Sequence, residues 1–189
     1  MNITNQLYFT EGKDWRKWLA KNHAKEKEAW LVFYRKSSGK ERLSYNTSVE
    51  EALCYGWIDS TLKRIDDEKF AQRFTPRRKN SVLSEMNKER IRRLIKAKRM
   101  TAFGLKAVAH AFDHQKDKKE KLFIANDILK VLKADKEAWK NFQNFSEGYK
   151  KVRIGFIEGR RRHGDEFFQK SLQYFVKMTA KNKKFGMLR

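Results

Sequence analysis

Apolar residues change their spacing at Pro76, the only proline of the chain. Before it lie strand-like patterns: the continuous apolar run Ala29 to Tyr34 (AWLVFY), and segments 58–65 and 69–75 on either side of a polar triplet. A short apolar run predicts a buried strand, and two segments around a tight polar turn predict a hairpin. After Pro76 the apolar residues recur at helical spacing. The pattern predicts an α+β fold, in which a small, mostly antiparallel sheet with packed helices precedes a C-terminal helical subdomain.

The segment 113–121 (DHQKDKKEK) is wholly polar and interrupts the helical spacing. Because such a segment has nothing to bury, we interpret it as a charged linker. The predicted organisation is therefore an α+β domain over 1–112, the linker, and a helical subdomain over 122–189.

Several local signals predict where individual elements begin. Residues 42–45 fit a short returning strand. Thr47-x-x-Glu50 fits the capping box of a following helix, and so does Ser48-x-x-Glu51. Ser84 is the expected cap of a later helix. The next helix is predicted to bury a seam that consists of Leu105, Val108, Ala109 and Phe112.

Composition allows a self-sufficient core. The chain has 189 residues, of which 40% are hydrophobic, and a single cysteine. A chain of this length buries about 70% of its unfolded surface, so it needs neither a disulfide nor a metal to fold. Cys54 has no partner for a disulfide, and the four histidines lack metal-ligand spacing, so we expect no metal and no cofactor.

Positive charge dominates the chain: 45 Lys and Arg oppose 23 Asp and Glu, for a net charge of +22. Each half carries +11, so the excess belongs to the folded body and not to a tail. A field of this sign attracts polyanions, which makes nucleic acid or a small anion the expected partner. The alternative is that the charge serves only solubility.

One candidate for nucleic-acid contact is a basic line on the helix after Pro76. Its members fall at helical spacing, so their long side chains would share one face. Phosphate contacts would relieve their mutual repulsion; the alternative is a solvated face. The candidates are Lys88, Arg92, Lys96 and Arg99 on the line, with Arg73, Arg78 and Lys79 leading into it.

A second candidate is an anion pocket at the start of the same helix. Free backbone N–H groups at a helix N-terminus can hold an anion. Arg77 would add a bidentate fork, while Ser81, Ser84 and Asn87 would add neutral hydrogen bonds. The alternative is that Ser84 is only a cap and that Arg77 pairs with a carboxylate such as Asp59 or Asp66.

A third candidate is the cluster around Trp57, Asp59 and Ser60, with Arg64 nearby. It follows a predicted helix stop at Gly56 and could line a cleft. Asp59 is the one weak candidate for a catalytic base, but no partner acid lies at a diagnostic spacing. Ser60 lacks the context of a nucleophile elbow.

Other residue types give no catalytic pattern. Cys54 is expected in the core, and His23, His110, His114 and His163 are interpreted as non-catalytic. Neither a P-loop nor a dinucleotide-binding glycine motif occurs, which argues against NTP and dinucleotide enzymes. No run of 18 apolar residues and no secretory signal are present, so we expect a cytoplasmic protein without membrane insertion. The oligomeric state is left open.

Three strings, EEALCYGWIDS (50–60), RFTPRRKNSVLSEMNKERIRRLIKAKRMTAFGL (73–105) and DKEAWKNFQNFSEGYKKVRIGFIEGRRR (135–162), resemble the YdeI/OmpD-associated, or bacteriocin-protection, family. The resemblance covers nearly the whole chain. Leu83, Ala102 and Phe156 depart from it, since the family usually has Trp, Pro and Trp there. The loss at Leu83 weakens any role for an aromatic ring that stacks on a ligand.

The resemblance implies a role in envelope stress, tolerance to bacteriocins or cationic peptides, or association with a porin, and it brings no settled catalytic mechanism. Its motifs coincide with the second and third candidates. The resulting set of ligand-binding candidates is Trp57, Asp59, Ser60, Arg64, Phe74, Pro76, Arg77, Ser81, Ser84, Asn87 and Lys88.

Three functional hypotheses follow. The first is non-enzymatic binding of an anionic ligand, either nucleic acid or a small phosphorylated or carboxylated molecule. The second is an enzyme for a small anionic substrate, with Asp59 as base and Arg77 as anchor. The third is a stress-response module that binds a protein partner through its helical half.

Overall fold

The computed structural model describes residues 6–186, without the side chains of residues 118 and 119. These residues form two compact units. The first extends to Leu83 and resumes over Arg90–Asp113, whereas the second combines Ser84–Glu89 with the chain from His114 onward. The helix Glu85–Lys96, called α3 below, therefore contributes its first turn to the second unit and its remainder to the first. Within the polar segment 113–121, the chain forms a short helix at His114–Lys119.

The first unit contains a four-stranded sheet and four helices among the described residues. In chain order they are β1 (Gln6–Leu7), α1 (Gly12–Asn22), β2 (Ala29–Tyr34), α2 (Tyr45–Cys54), β3 (Trp57–Arg64), β4 (Lys69–Pro76), α3 (Glu85–Lys96) and α4 (Ala102–Val108), with a 3-10 turn at Lys36–Ser38. The second unit contains α5 (His114–Lys119), α6 (Asn126–Ala134), α7 (Lys136–Asn144), α8 (Glu147–Arg160) and α9 (Asp165–Ala180), with a 3-10 turn at Arg161–His163.

The sheet has the strand order β1-β2-β4-β3. Only β1 and β2 run parallel, whereas β2 with β4 and β4 with β3 are antiparallel. The α+β prediction is confirmed, as are the central position of the AWLVFY run and the hairpin, in which β3 pairs with β4. A register shift between Asp59 and Leu62 interrupts this pairing, so β3 bends near Asp59.

The core of the first unit lies between the sheet and helices α1 and α2. Trp15 and Leu19 of α1 are fully buried with Leu53 of α2 and Phe74 of β4. The Trp15 indole donates a 3.0 Å hydrogen bond to the backbone oxygen of Ser48, which satisfies its buried N–H. This contact holds α1 against the beginning of α2.

Two predictions near residue 45 are wrong. The strand predicted over residues 42–45 does not form, and the capping box at Thr47 is not the start of α2. Ser44 caps the helix by accepting a 3.0 Å hydrogen bond from the backbone N–H of Thr47, so Tyr45 becomes its first residue. Ser44 was not predicted as a cap, and Ser48 lies fully buried inside the helix that Ser44 begins.

The region around α4 also differs from its predicted seam. Val108 and Phe112 are buried as expected, but Leu105 is exposed. Gly104 lies against the C-terminal end of α2, where an added Cβ would come within 2.7 Å of the Cys54 carbonyl carbon. The close backbone approach at Gly104, and not a leucine side chain, determines which face of α4 turns inward.

Two helices of the second unit begin at a side-chain cap. Asp135 accepts from the backbone N–H of Ala138 at 2.9 Å, and Ser146 accepts from that of Tyr149 at 3.4 Å. Gly164, with φ of +108°, separates the last two helices. The buried aromatic and aliphatic side chains form a second core, which includes Ile128, Leu132, Phe142, Phe168, Leu172 and Phe175.

Candidate functional site

A polar cluster forms in the first unit around Asp59, at the bend of β3. Asp59 pairs in register with Phe74 of β4 and is half-buried. The hydroxyl of Tyr45 donates to its Oδ2 atom across 2.5 Å. Gly56, with φ of +76°, turns the chain between α2 and β3. The Asp59 carboxylate therefore meets the first residue of the preceding helix.

Two arginines share the electrostatic environment of Asp59. Arg90 of α3 is only 5% exposed, and its Nη2 atom donates to Oδ1 of Asn46 at 2.9 Å. Arg77, just after β4, is half-buried. Burial lowers the pKa of both guanidinium groups, and attraction to the Asp59 carboxylate opposes that lowering in each case. Both groups keep their charge, and the Glu50 carboxylate also attracts the Arg90 guanidinium.

Arg77 is only partly satisfied by the protein. Its Nη2 atom donates to the backbone oxygen of Val82 at 2.6 Å, and its backbone N–H donates to the oxygen of Gly56 at 2.9 Å. Its Nε atom is buried, and no described residue accepts a hydrogen bond from it. A buried donor without an acceptor costs about 1–3 kcal/mol, so an acceptor atom from a bound molecule would stabilise this N–H.

Ser81 adds a second unsatisfied atom in the same loop. Its Oγ atom is buried and has no hydrogen-bond partner among the described residues. Its backbone oxygen lies 2.9 Å from Nε2 of His110, which anchors the loop to the end of α4. The loop 77–82 therefore holds both a charged donor and a hydroxyl whose hydrogen-bonding capacity the protein leaves unused.

Several predicted ligand-binding residues are engaged elsewhere in the first unit. Trp57 and Phe74 are core residues, and the Trp57 indole donates to the backbone oxygen of His23 at 3.1 Å. Ser60 is exposed, and its hydroxyl donates weakly to the backbone oxygen of Arg73. Arg64 forms an ion pair with Asp67 in the hairpin turn. Pro76 is the last residue of β4.

Three further candidates belong to the second unit. Ser84 caps α3 by accepting from the backbone N–H of Asn87 at 3.3 Å, as predicted. The Nζ atom of Lys88 lies 2.7 Å from Oε1 of Glu85. These contacts explain the local role of Ser84 and Lys88 in starting the helix.

The predicted basic line does not extend as expected. Helix α3 ends at Lys96, and Lys98 has a left-handed backbone, so the prediction that Arg99 continues the line is wrong. Arg99 instead forms an ion pair with Glu51 of α2. Arg73 pairs with Glu28, its Nε atom donating at 2.7 Å. The exposed members of the set are Arg78, Lys79 and Lys96, whereas Arg92 is half-buried.

Two residues of the cluster were missed by the sequence analysis. Tyr45 was assigned to a strand, and Arg90 was overlooked among the charged residues of α3. A signal for Arg90 exists: it precedes Leu94 by four positions, on the apolar face of the helix. A positive charge on an apolar face indicates a side chain that is either buried with a partner or functional.

The described residues contain neither a candidate metal-binding group nor a candidate membrane-spanning helix. Within residues 6–186, no group of three His, Cys, Asp or Glu side chains could hold a metal ion. None of the helices in this part of the chain combines the length and apolarity needed to cross a membrane.

The comparisons with known proteins concern mainly the first unit. Residues 7–107 match the model of a family described as a domain of unknown function, DUF8412. No curated protein and no solved structure matches the chain.

Proposed function

The chain belongs to the DUF8412 family, and we propose that this domain binds a small carboxylated or phosphorylated molecule in the loop 77–82. The observation that carries the proposal is the buried, unpartnered Nε atom of Arg77. A guanidinium group that offers an unused in-plane donor is suited to an oxyanion, because carboxylate and phosphate oxygens accept charge-assisted hydrogen bonds.

The rest of the cluster supports binding by positioning Arg77. The Asp59 carboxylate attracts the guanidinium groups of Arg77 and Arg90. The same carboxylate accepts a hydrogen bond from the Tyr45 hydroxyl. Ser81 Oγ, an unpartnered atom of the same loop, would supply a neutral hydrogen bond to the ligand. The net charge of +22 would raise the local concentration of any such ligand.

A small ligand is favoured over nucleic acid as the occupant. Nucleic acid needs several exposed cations along its backbone, yet Arg73 and Arg99 are already paired with carboxylates. The unsatisfied atoms at Arg77 and Ser81 are buried, so they suit the carboxylate or phosphate group of a small molecule better than a nucleic-acid strand. Binding is also favoured over catalysis, because the Tyr45 hydroxyl already occupies Oδ2 of Asp59, the only candidate base.

The test is thermal unfolding with phosphate or acetate added, each compared with sodium chloride at equal ionic strength. We expect either anion to raise the melting temperature of the native chain, because a ligand that binds only the folded state stabilises it. Arg77→Gln should lose this gain, and Ser81→Ala should weaken it. Arg78→Gln, at the exposed neighbouring arginine, is the matched control and should keep it.

Two outcomes would contradict the proposal. One is an equal response of the Arg77→Gln and Arg78→Gln chains, and the other is no response beyond that to chloride. Labelled DNA and RNA, titrated at rising salt, form a separate arm. Tight binding that falls steeply with salt and survives Arg77→Gln would favour nucleic acid as the partner instead.

The resemblance to the YdeI/OmpD-associated family supports a proposal about the setting of this activity. We propose that the bound anion is linked to tolerance of bacteriocins or cationic peptides. A strain without this protein should be more sensitive to such peptides, and the Arg77→Gln chain should fail to restore tolerance. Full restoration by that variant would separate the binding site from the stress phenotype.

A further inference from the structure

A second arginine whose Nε atom has no partner among the described residues, Arg153, lies in the helical unit. Arg153 is on the apolar face of α8, four residues from both Tyr149 and Ile157, and only 6% of its surface is exposed. Among the residues that the structure describes, none forms an ion pair or hydrogen bond with its side chain, and its Nε atom is buried without a partner. Burial lowers the pKa of the group, but a guanidinium keeps its proton in proteins.

Aromatic rings surround this guanidinium. Its Cζ atom lies 4.9 Å from the ring centre of Phe185, 5.3 Å from that of Phe156 and 5.9 Å from that of Tyr149. Rings at these distances stabilise the cation through its faces. They do not satisfy its N–H groups, which point outward in the guanidinium plane and need acceptor atoms.

Gly186 lies beside the guanidinium group of Arg153. Gly186 has φ of +84°, and a Cβ atom added there would lie 3.0 Å from both Nη atoms. A side chain at this position would therefore press on the donors that an anion would use. Glycine at position 186 avoids that contact.

Arg161 of the same unit differs from Arg153 because carboxylates bind its guanidinium group. Its Nη2 atom lies 2.8 Å from Oδ2 of Asp127, and its Nε atom lies 2.7 Å from Oε2 of Glu158. It is exposed and has two carboxylates, whereas Arg153 is buried and has none among the described residues. The acidic residues that pack on α8, Glu85 and Glu89, lie against Gly155 and Gly148 instead.

We infer that Arg153 is the receptor for a free oxyanion, a carboxylate or phosphate group, in an aromatic cage formed by Tyr149, Phe156 and Phe185. A partner of opposite charge would stabilise this buried, permanently charged group further, and the cage supplies apolar surroundings in which that pairing is strong. The site is independent of Arg77, which lies in the other unit.

The test follows the side-chain Nε–Hε signals of arginine in ¹H–¹⁵N NMR spectra of the full chain. Arg153→Lys identifies the Arg153 signal by its loss. Phosphate and acetate are titrated separately, each against sodium chloride at equal ionic strength. We expect the Arg153 signal to move to saturation with at least one of the two anions, while the Arg161 signal stays in place because its donors are already engaged.

The Arg77→Gln chain separates this site from the one proposed above. In that chain the Arg153 signal should still move, whatever has happened to binding at Arg77. Replacing Arg153 by Met, which has similar length and no charge, should weaken binding at this site by about tenfold or more, the usual effect of losing a charge-assisted hydrogen bond. Arg161→Met is the matched control and should not weaken it.

Two results would overturn the inference. In the first, the Arg153 signal moves with neither anion, or moves equally with chloride. In the second, Arg153→Met raises the melting temperature by the same amount with and without the anions, which would identify the arginine as a buried charge that binds nothing.

Discussion

Tyr45 and Asp59 are joined by a 2.5 Å hydrogen bond from the tyrosine hydroxyl to Oδ2 of the carboxylate. They lie 14 positions apart, on the first residue of α2 and at the bend of β3. Burial first, and then this bond, raise the pKa of the Tyr45 hydroxyl above its ordinary value of 10. The contact therefore makes a pH-dependent contribution to stability.

Tyr45→Phe should flatten the alkaline loss of stability. In the unfolded chain the hydroxyl ionises near pH 10, whereas in the folded chain it retains its proton to higher pH. Its contribution is therefore complete below about pH 10 and is lost as the pH rises towards the folded-state pKa. Urea unfolding between pH 8 and 11 should show a steeper decline for the native chain than for Tyr45→Phe, and parallel curves would contradict this.

Gly104→Ala should destabilise the first unit by about 1–3 kcal/mol, the usual cost of overpacking. The new Cβ would lie 2.7 Å from the Cys54 carbonyl carbon and 2.8 Å from the Leu53 oxygen, both of them backbone atoms. Gly159→Ala is the matched control, because no atom lies within 4 Å of its added Cβ and it is inside α8. It should stabilise by up to about 1 kcal/mol. Thermal unfolding followed by circular dichroism measures both, and a neutral Gly104→Ala would refute the close contact.

Glu51→Gln should lower the free energy of unfolding more than the same substitution at an exposed glutamate. Glu51 is 5% exposed and binds Arg16, at 2.8 Å from its Nη1 atom, as well as Arg99. Removing its charge leaves two guanidinium groups without their common partner, and since both are partly solvated we expect a loss of about 2 kcal/mol. Glu158→Gln, at the exposed pair with Arg161, should cost about 1 kcal/mol or less. Urea unfolding measures both variants. Equal losses of unfolding free energy would show that burial of Glu51 does not increase its contribution to stability.

Cys54 should resist thiol reagents in the folded chain. It is fully buried at the end of α2, and burial is the main cause that raises the pKa of its thiol, which disfavours the reactive thiolate. Labelling with a maleimide or an aromatic disulfide should be slow in the native chain and complete within minutes in urea. Rapid labelling of the native chain would show that α2 opens readily at its C-terminus.

Elements with strong local signals were predictable. The caps at Asp135 and Ser146 bond to backbone groups three residues away, so their geometry depends on neighbours in sequence alone. The hairpin was predictable because β3 and β4 pair across a short turn. The start of α2 was not, because Ser44, Thr47 and Ser48 all suit a cap, and packing against Trp15 decided between them.

The candidate sites divide in the same way. Asp59, Arg77 and Ser81 could be proposed from residue type and position near the turn after β4. Tyr45, Arg90 and Arg153 could not be assigned roles, because a polar residue on an apolar helix face acquires its meaning from what packs around it.

The amino-acid sequence by itself determined the α+β class, the hairpin, the caps at Ser84, Asp135 and Ser146, and the strongly basic character of this protein, since these depend on apolar periodicity, short-range hydrogen bonds and net charge. Only the tertiary structure decided which arginines are neutralised by carboxylates and which are left with unused donors. That distinction depends on burial and on contacts between residues far apart in the chain, and the free energy of a charged group is set by those surroundings.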